Sequence, residues 1–232
     1  MQRPPEDKEH GMNIMAINGS PRKRGNTSVL LQHALDGARE AAPEGSSARL
    51  VHLYDHAYAG CRSCFACKRL GGKSYGRCAV RDGLAPLLEE VAAADALILG
   101  SPIYFGDVSG MLRCFLERLL FPFMVYDVAH SSLAPRPLST ACLYTMNVNE
   151  EAMRQWRYAE RLSLMETFLA RVFSPPKVLY VNDTLQFDDY SRYANSLFDP
   201  VAKRRRHEEH FPEDCRRARE LGTACIASVA AR

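Results

Sequence analysis

The chain reads as a single α/β domain built on a doubly wound, five-stranded parallel sheet with helices on both faces. Three observations predict this. Short apolar runs alternate with longer stretches of helical periodicity along the 232 residues, the pattern of βαβ units. The runs themselves, such as Ala96-Leu97-Ile98-Leu99, are apolar at successive positions, as strands covered on both faces must be. No internal repeat or long linker divides the chain, whose length suits one domain over residues 12–232.

The elements follow in order. Asn13 to Ile17 is the first strand, and a loop rich in Gly, Ser, Asn and Thr carries it into a helix from Thr27 to Ala41. Ala48 to Leu53 is the second strand, followed by a Cys-rich loop over 60–83 and a helix from about Leu84 to Ala93. Ala96 to Gly100 is the third, with a helix from about Gly110 to Leu120. Thr140 to Tyr144 is the fourth, with one long helical stretch from Glu150 to Val172, and Val178 to Val181 is the fifth. A last helix from about Asp214 carries Ala218, Leu221, Ala224, Cys225 and Val229 at helical spacing. The polar, aromatic segment 184–212 before it reads as an irregular excursion, and the polar residues 1–11 as a disordered leader, with Met12 an alternative start.

Composition excludes several classes. A net charge of +3 lacks the basic footprint of a nucleic-acid binder. No apolar run reaches the roughly 20 residues of a membrane helix, and the N-terminus lacks the apolar core of a signal peptide. A cytoplasmic location follows as the expectation, and there the eight cysteines imply metal, cluster or redox work before structural disulfides.

Two corners carry the chemistry. The first, Asn18-Gly19-Ser20-Pro21-Arg22 running on to Gly25-Asn26-Thr27-Ser28, joins a strand to a helix start. Free N–H groups and the helix dipole favour an anion there. Ser20, Thr27 and Ser28 add hydroxyl donors, Arg22 offers a fork to phosphate oxygens, and Asn26 or Thr27 is the expected N-cap. Neither G-x-G-x-x-G nor a closing G-K-[ST] is present, which points to one terminal phosphate. The second corner is Gly100-Ser101-Pro102-Ile103-Tyr104-Phe105-Gly106, a loop with aromatic area and backbone donors for a planar ring. Asp107 just after it is expected to cap the next helix.

GSPRKRGNTS together with SPIYFGDVSGMLRCFLERL resembles the FMN-binding motifs of the flavodoxin-like NAD(P)H-dependent FMN reductases, and CRSCFACKRLGGKSYGRC adds likeness to their iron–sulfur flavoprotein branch. Five strands already suggest the flavodoxin-like order with the ligand at the switch point over the strand C-termini, and the resemblance agrees. It implies FMN phosphate contacts from Ser20, Arg22, Asn26, Thr27 and Ser28, and isoalloxazine contacts from Pro102, Ile103, Tyr104, Phe105 and Gly106. A third FMN loop, after strand four, falls at Thr145-Met146-Asn147 with no residue-by-residue match.

Cys61, Cys64, Cys67 and Cys78 form C-x2-C-x2-C-x10-C. Thiolates at this spacing suit a 4Fe–4S cluster, a tetrahedral zinc or a metal-free redox thiol group, and all three stand at this point. The ten residues before Cys78 exceed what iron–sulfur flavoproteins usually have, and Gly71, Gly72 and Gly76 let the insertion fold back. Lys68, Arg69, Lys73 and Arg77 would offset thiolate charge. Cys114, Cys142, Cys215 and Cys225 read as core thiols, His52 and His56 as structural, and Lys203 to Arg206 as a solvated helical face. Tyr180, Phe187, Tyr190 and Tyr193 read as packing or subunit contact.

The implied activity is transfer of electrons from NAD(P)H through FMN to a quinone or other small acceptor, with no side-chain acid or base, by a homodimer or homotetramer. The alternatives are an iron–sulfur flavoprotein fed by a ferredoxin, and a non-catalytic thiol or zinc redox sensor.

Overall fold

Alternation within the strands divides the core in two. In β1 (Asn13–Asn18) Met15 and Ile17 face one side and Ile14 and Ala16 the other, and β3 (Ala96–Tyr104) and β5 (Ser139–Thr145) repeat the split with Leu97, Leu99, Cys142 and Tyr144 against Ala96, Ile98, Ala141 and Leu143. A period of two on a sheet buried on both faces produces this division. The computed structural model describes residues 11–230, so the leader expected at 1–11 lies outside them save for its last residue.

The five parallel strands run in the order β2-β1-β3-β5-β6, with β2 spanning Ser47–His52 and β6 Lys177–Val181. This is the expected flavodoxin-like order. A sixth, two-residue strand, β4 (Asp107–Val108), pairs antiparallel with the end of β3. One face is covered by α2 (Ala85–Ala92), α3 (Gly110–Phe123) and α5 (Tyr158–Val172), through Leu88, Phe115, Leu119, Leu162 and Leu169. The other is covered by α1 (Asn26–Ala41) and α6 (Pro200–Ala230), through Leu31, Ala34, Leu35, Ala218 and Leu221. Among the described residues no helix is long and apolar enough to cross a membrane.

Four expectations need correction. β3 does not stop at Gly100: Ser101 and Pro102 pair with Tyr144 and Thr145, and a turn at Phe105-Gly106 returns the chain as β4, which pairs with Ile103 and Tyr104. The long stretch from Glu150 to Val172 is two helices, α4 (Glu150–Gln155) and α5, broken where Arg157 takes a left-handed φ of 55°. No Gly or Pro marks that break, so periodicity runs through it. α3 continues to Phe123 with Pro122 inside it. The excursion expected over 184–212 ends at residue 199, because α6 begins at Pro200 and passes through Pro212. Proline inside a helix costs about 3 kcal/mol, and contacts across Pro212 and just before it offset that cost. Arg206 spans the proline to the buried Asp214 at 2.7 Å, and His207 stacks on Phe211 at 4.6 Å between centroids.

Candidate functional site

The loop after β1 is fastened before it reaches α1. Gly19 N–H donates to Gly100 O at 2.8 Å, and the Ser109 hydroxyl donates to Gly19 O at 2.6 Å. A Cβ on Gly19 would stand 2.9 Å from Leu112 Cβ, so the corner admits only glycine without a shift. Asn18 Oδ1 accepts from Ser20 N, and Ser20 Oγ from Arg22 N, at 2.9 and 3.1 Å. The N-cap of α1 is Gly25 rather than Asn26 or Thr27, and no side chain caps its first turn. Ser28 N and Val29 N donate to Gly25 O, and no capping side chain competes with an anion at the very start of the helix.

Seven of the ten residues assigned to FMN line one cleft of about 780 Å³ over the C-terminal ends of β1, β3 and β5: Ser20, Arg22, Asn26, Thr27, Pro102, Ile103 and Tyr104. Thr145, Met146 and Asn147 join them, as the third loop was expected to do. Thr27 Oγ1 meets Thr145 Oγ1 at 2.7 Å, both side chains buried. Ser28 lies buried behind this wall and does not line the cleft. Phe105 and Gly106 turn away from it. Phe105, left-handed at φ 54° and fully exposed, edges a second hollow with Trp156, Arg157 and Arg161, and Gly106 approaches Arg161 and Tyr158.

A wall absent from the sequence reading is the loop after β6. Arg22 Nη1 donates to Gln186 O at 2.6 Å and Asn26 Nδ2 to Leu185 O at 2.8 Å. Phe187 and Tyr193 stack at 3.9 Å and also line the cleft, while the Tyr190 hydroxyl accepts from Gln186 N at 3.2 Å. These aromatics pack within the chain. Lys203 is buried, not solvated: its ammonium donates to Asn147 O at 2.6 Å and pairs with Asp183, tying α6 to two cleft loops. Burial holds its pKa below the usual lysine value, against the pull of Asp183. Helix α3 is capped by Ser109, whose hydroxyl accepts from Leu112 N at 3.3 Å, and not by Asp107, which pairs with Arg113. His52 meets Asn18 Nδ2 at 2.9 Å and His56 meets Gly83 O at 3.1 Å, both structural contacts.

The four clustered cysteines border one small pocket, closed by Glu117, Arg118 and Phe121 from α3. Cys61 and Cys64 are exposed, Cys67 is buried and Cys78 half-buried, all as thiols. Ser63 and Phe65 adopt left-handed φ of 52° and 55° between them, which coils the loop inward at a cost borne by surrounding contacts. Among the described residues no three His, Cys, Asp or Glu side chains converge as a single metal ion requires. Desolvation raises the Cys67 thiol pKa, opposed by Lys68. Lys68 itself donates to carbonyls of Phe121, Pro122 and Met124 at the end of α3. Among the described residues Arg118, which the sequence reading missed, hydrogen-bonds a cysteine of the cluster, Cys78. Its signal was a charge on the apolar stripe Phe115, Leu119, Pro122.

The profile of the NADPH-dependent FMN reductases matches residues 12–143 of this chain. The chain belongs to that family. An iron-sulfur flavoprotein of Archaeoglobus fulgidus is 37% identical over 107 residues, covering 46% of this chain and 48% of the relative. One from Methanocaldococcus jannaschii is 36% identical over the same length, covering 46% and 51%. The matches thus span about half the length of these relatives. An FMN-dependent NADH:quinone oxidoreductase of Nocardia farcinica is 26% identical across 90% of this chain and 97% of its own. The structure of an NAD(P)H:quinone oxidoreductase from Methanothermobacter marburgensis superposes with a TM-score of 0.65 over 92% of this chain and 96% of its own, at 14% identity, a likeness of fold.

Proposed function

We propose that this family member is an FMN-dependent oxidoreductase that takes electrons from NAD(P)H and delivers them to a quinone. The observation that carries the reading is the cleft, where an uncapped α1 start, the buried hydroxyls of Ser20, Thr27 and Thr145 and the ring of Tyr104 share one wall system. These groups fit a phosphate joined to a flat ring. Ser20, Thr27, Arg22 and the first turn of α1 would hold the phosphate, and Pro102, Ile103, Tyr104 and Asn147 the ring. Bound FMN would accept hydride and pass electrons on singly or in pairs. The chain's part is position and polarity. Arg22 and Asn26 hold the Leu185–Gln186 backbone over the site, and Lys203 anchors the loops behind it. Overall, one NAD(P)H and one proton convert one quinone to its hydroquinone.

The four thiols that border one small pocket support a second component: a 4Fe–4S cluster held by Cys61, Cys64, Cys67 and Cys78. On that reading single electrons from a ferredoxin-type donor enter at the cysteine loop. Anaerobic purification with flavin, iron and sulfide measured per chain, followed by FMN and riboflavin titration of the flavin-free protein, tests both. Tight FMN binding with riboflavin at least about 100-fold weaker is expected, since a phosphate held by charged hydrogen bonds contributes several kcal/mol. Apoprotein that leaves micromolar FMN free would sink the oxidoreductase reading. Flavin without iron would sink the cluster alone.

A further inference from the structure

Arg118 is 1% exposed, and each of its five N–H groups has a partner in or beside the cysteine loop. Nε donates to Cys78 Sγ at 3.4 Å. Nη1 donates to Ala59 O at 3.1 Å and Asp82 Oδ2 at 2.6 Å, and Nη2 to Val80 O at 3.3 Å and Asp82 Oδ1 at 2.9 Å. Ala59 precedes the first cysteine, and Val80 and Asp82 follow the last, so one guanidinium ties both limbs of the loop to α3. Asp82 neutralises the buried charge and also accepts from Leu84 N at 3.1 Å, ahead of α2. The insertion before Cys78 makes its own turns: Gly72 N to Arg69 O, Tyr75 N to Gly72 O and Arg77 N to Ser74 O. Gly76 N then closes on Cys67 O at 3.0 Å, which returns Cys78 to Cys67.

We propose that Arg118 is the positioning residue of the cysteine site: with Asp82 it locks both limbs of the loop and presents Cys78, the cysteine set apart by ten residues, to the other three. The proposal rests on the reading of the four cysteines as one ligand set. It accounts for tolerance of the long insertion, because Cys78 is placed by α3 and not by the length of chain behind it. It also requires arginine. A lysine ammonium has three donors at one point and cannot reach Ala59, Val80 and Cys78 together. A thiolate at Cys78 would receive a charge-assisted hydrogen bond, of the kind that raises the reduction potential of a thiolate-held cluster.

The test compares wild type, R118K and D82N by anaerobic iron and sulfide content, by redox titration of the cluster absorbance, and by amide hydrogen exchange of the metal-free proteins. Exchange over residues 57–83 is expected to rise about tenfold or more in R118K, with β1 and α1 peptides unchanged. Iron per chain should fall, the cluster that remains should titrate at a more negative potential, and D82N should loosen the same segment. Loop exchange equal to wild type would overturn the proposal, as would loosening spread evenly through the core. An unchanged potential in a loosened R118K would overturn the contact with Cys78. If wild type takes up no iron, the cluster reading fails on its own. Exchange in the metal-free chain still decides the clamp: confined loosening upholds it, and none overturns it.

Discussion

Helices α1 and α6 meet backbone to backbone at Gly37 and Gly222, and replacing Gly222 by alanine tests how much of the fold depends on that approach. A Cβ at Gly222 would stand 1.8 Å from Ala34 O, where ordinary contact begins at 3.4 Å, so α6 would have to retreat by the difference, about 1.6 Å. Gly37 faces it in the same way, with a Cβ position 2.1 Å from Arg219 O. Both obstacles are backbone, which no rotamer change relieves. Thr223 Oγ1 donates to Gly37 O at 3.2 Å across this seam, and Leu31, Ala34, Ala218, Leu221 and Cys225 pack along it. Retreat on that scale forfeits a large share of their dispersion contacts. Overpacking costs about 1–3 kcal/mol, here at the upper end, while alanine gains about 1 kcal/mol over glycine in a helix. The net is a destabilisation of about 2 kcal/mol, or a fall in Tm of about 4–8 °C for a chain of this size. Thermal unfolding followed by circular dichroism measures it, with G110A as control, because that Cβ position has nothing within 4 Å. The control should stay within about 0.5 kcal/mol of wild type. A G222A protein more stable than wild type, as an ordinary helical Gly→Ala would be, refutes the reasoning.

Three further outcomes are expected. T27V keeps the shape of the cleft wall but removes a hydroxyl paired with Thr145 at 2.7 Å, and FMN affinity should fall about tenfold in a fluorescence titration; an unchanged Kd would remove Thr27 from the phosphate site. Complete burial pushes the Cys142 thiol up to about 12 from an ordinary 9.0. The native chain therefore keeps a proton that the unfolded chain releases above about pH 9, and stability contributed by this group declines as pH rises through that window. Wild type should lose about 1.4 kcal/mol more than C142A between roughly pH 8 and 10 in urea unfolding, and parallel curves would show that the thiol does not titrate differently on folding. K203M leaves Asp183 and Asn147 O without their shared cation. Because Asp183 is 37% exposed and can rehydrate, the cost should fall below the roughly 3–5 kcal/mol of a fully buried pair, at about 2 kcal/mol, with weaker FMN binding; a fully stable K203M would show that the loops hold without it.

The chain's local chemistry alone determined the layers and the strand order. Strand-length apolar runs alternating with helical periods admit few topologies, and the paired motifs around Ser20 and Tyr104 placed the cleft at the switch point. The same locality made C-x2-C-x2-C legible, since three thiols within seven residues need no fold to be neighbours. Only tertiary structure decided the rest. Lys203 reads as one more charge in a basic run until Asp183 and Asn147 close over it. Phe105 belongs to an apparent ring-binding motif until the turn at Phe105-Gly106 swings it outward. Pro212 reads as a helix end until Arg206 and Asp214 pair across it. Arg118 lies forty residues from Cys78 in sequence and 3.4 Å from its sulfur in space. For Lys203, Arg118 and Arg206 the deciding partner lies on a separate stretch of chain or two turns along the helix, and the energy of burying a charge depends on that partner being there.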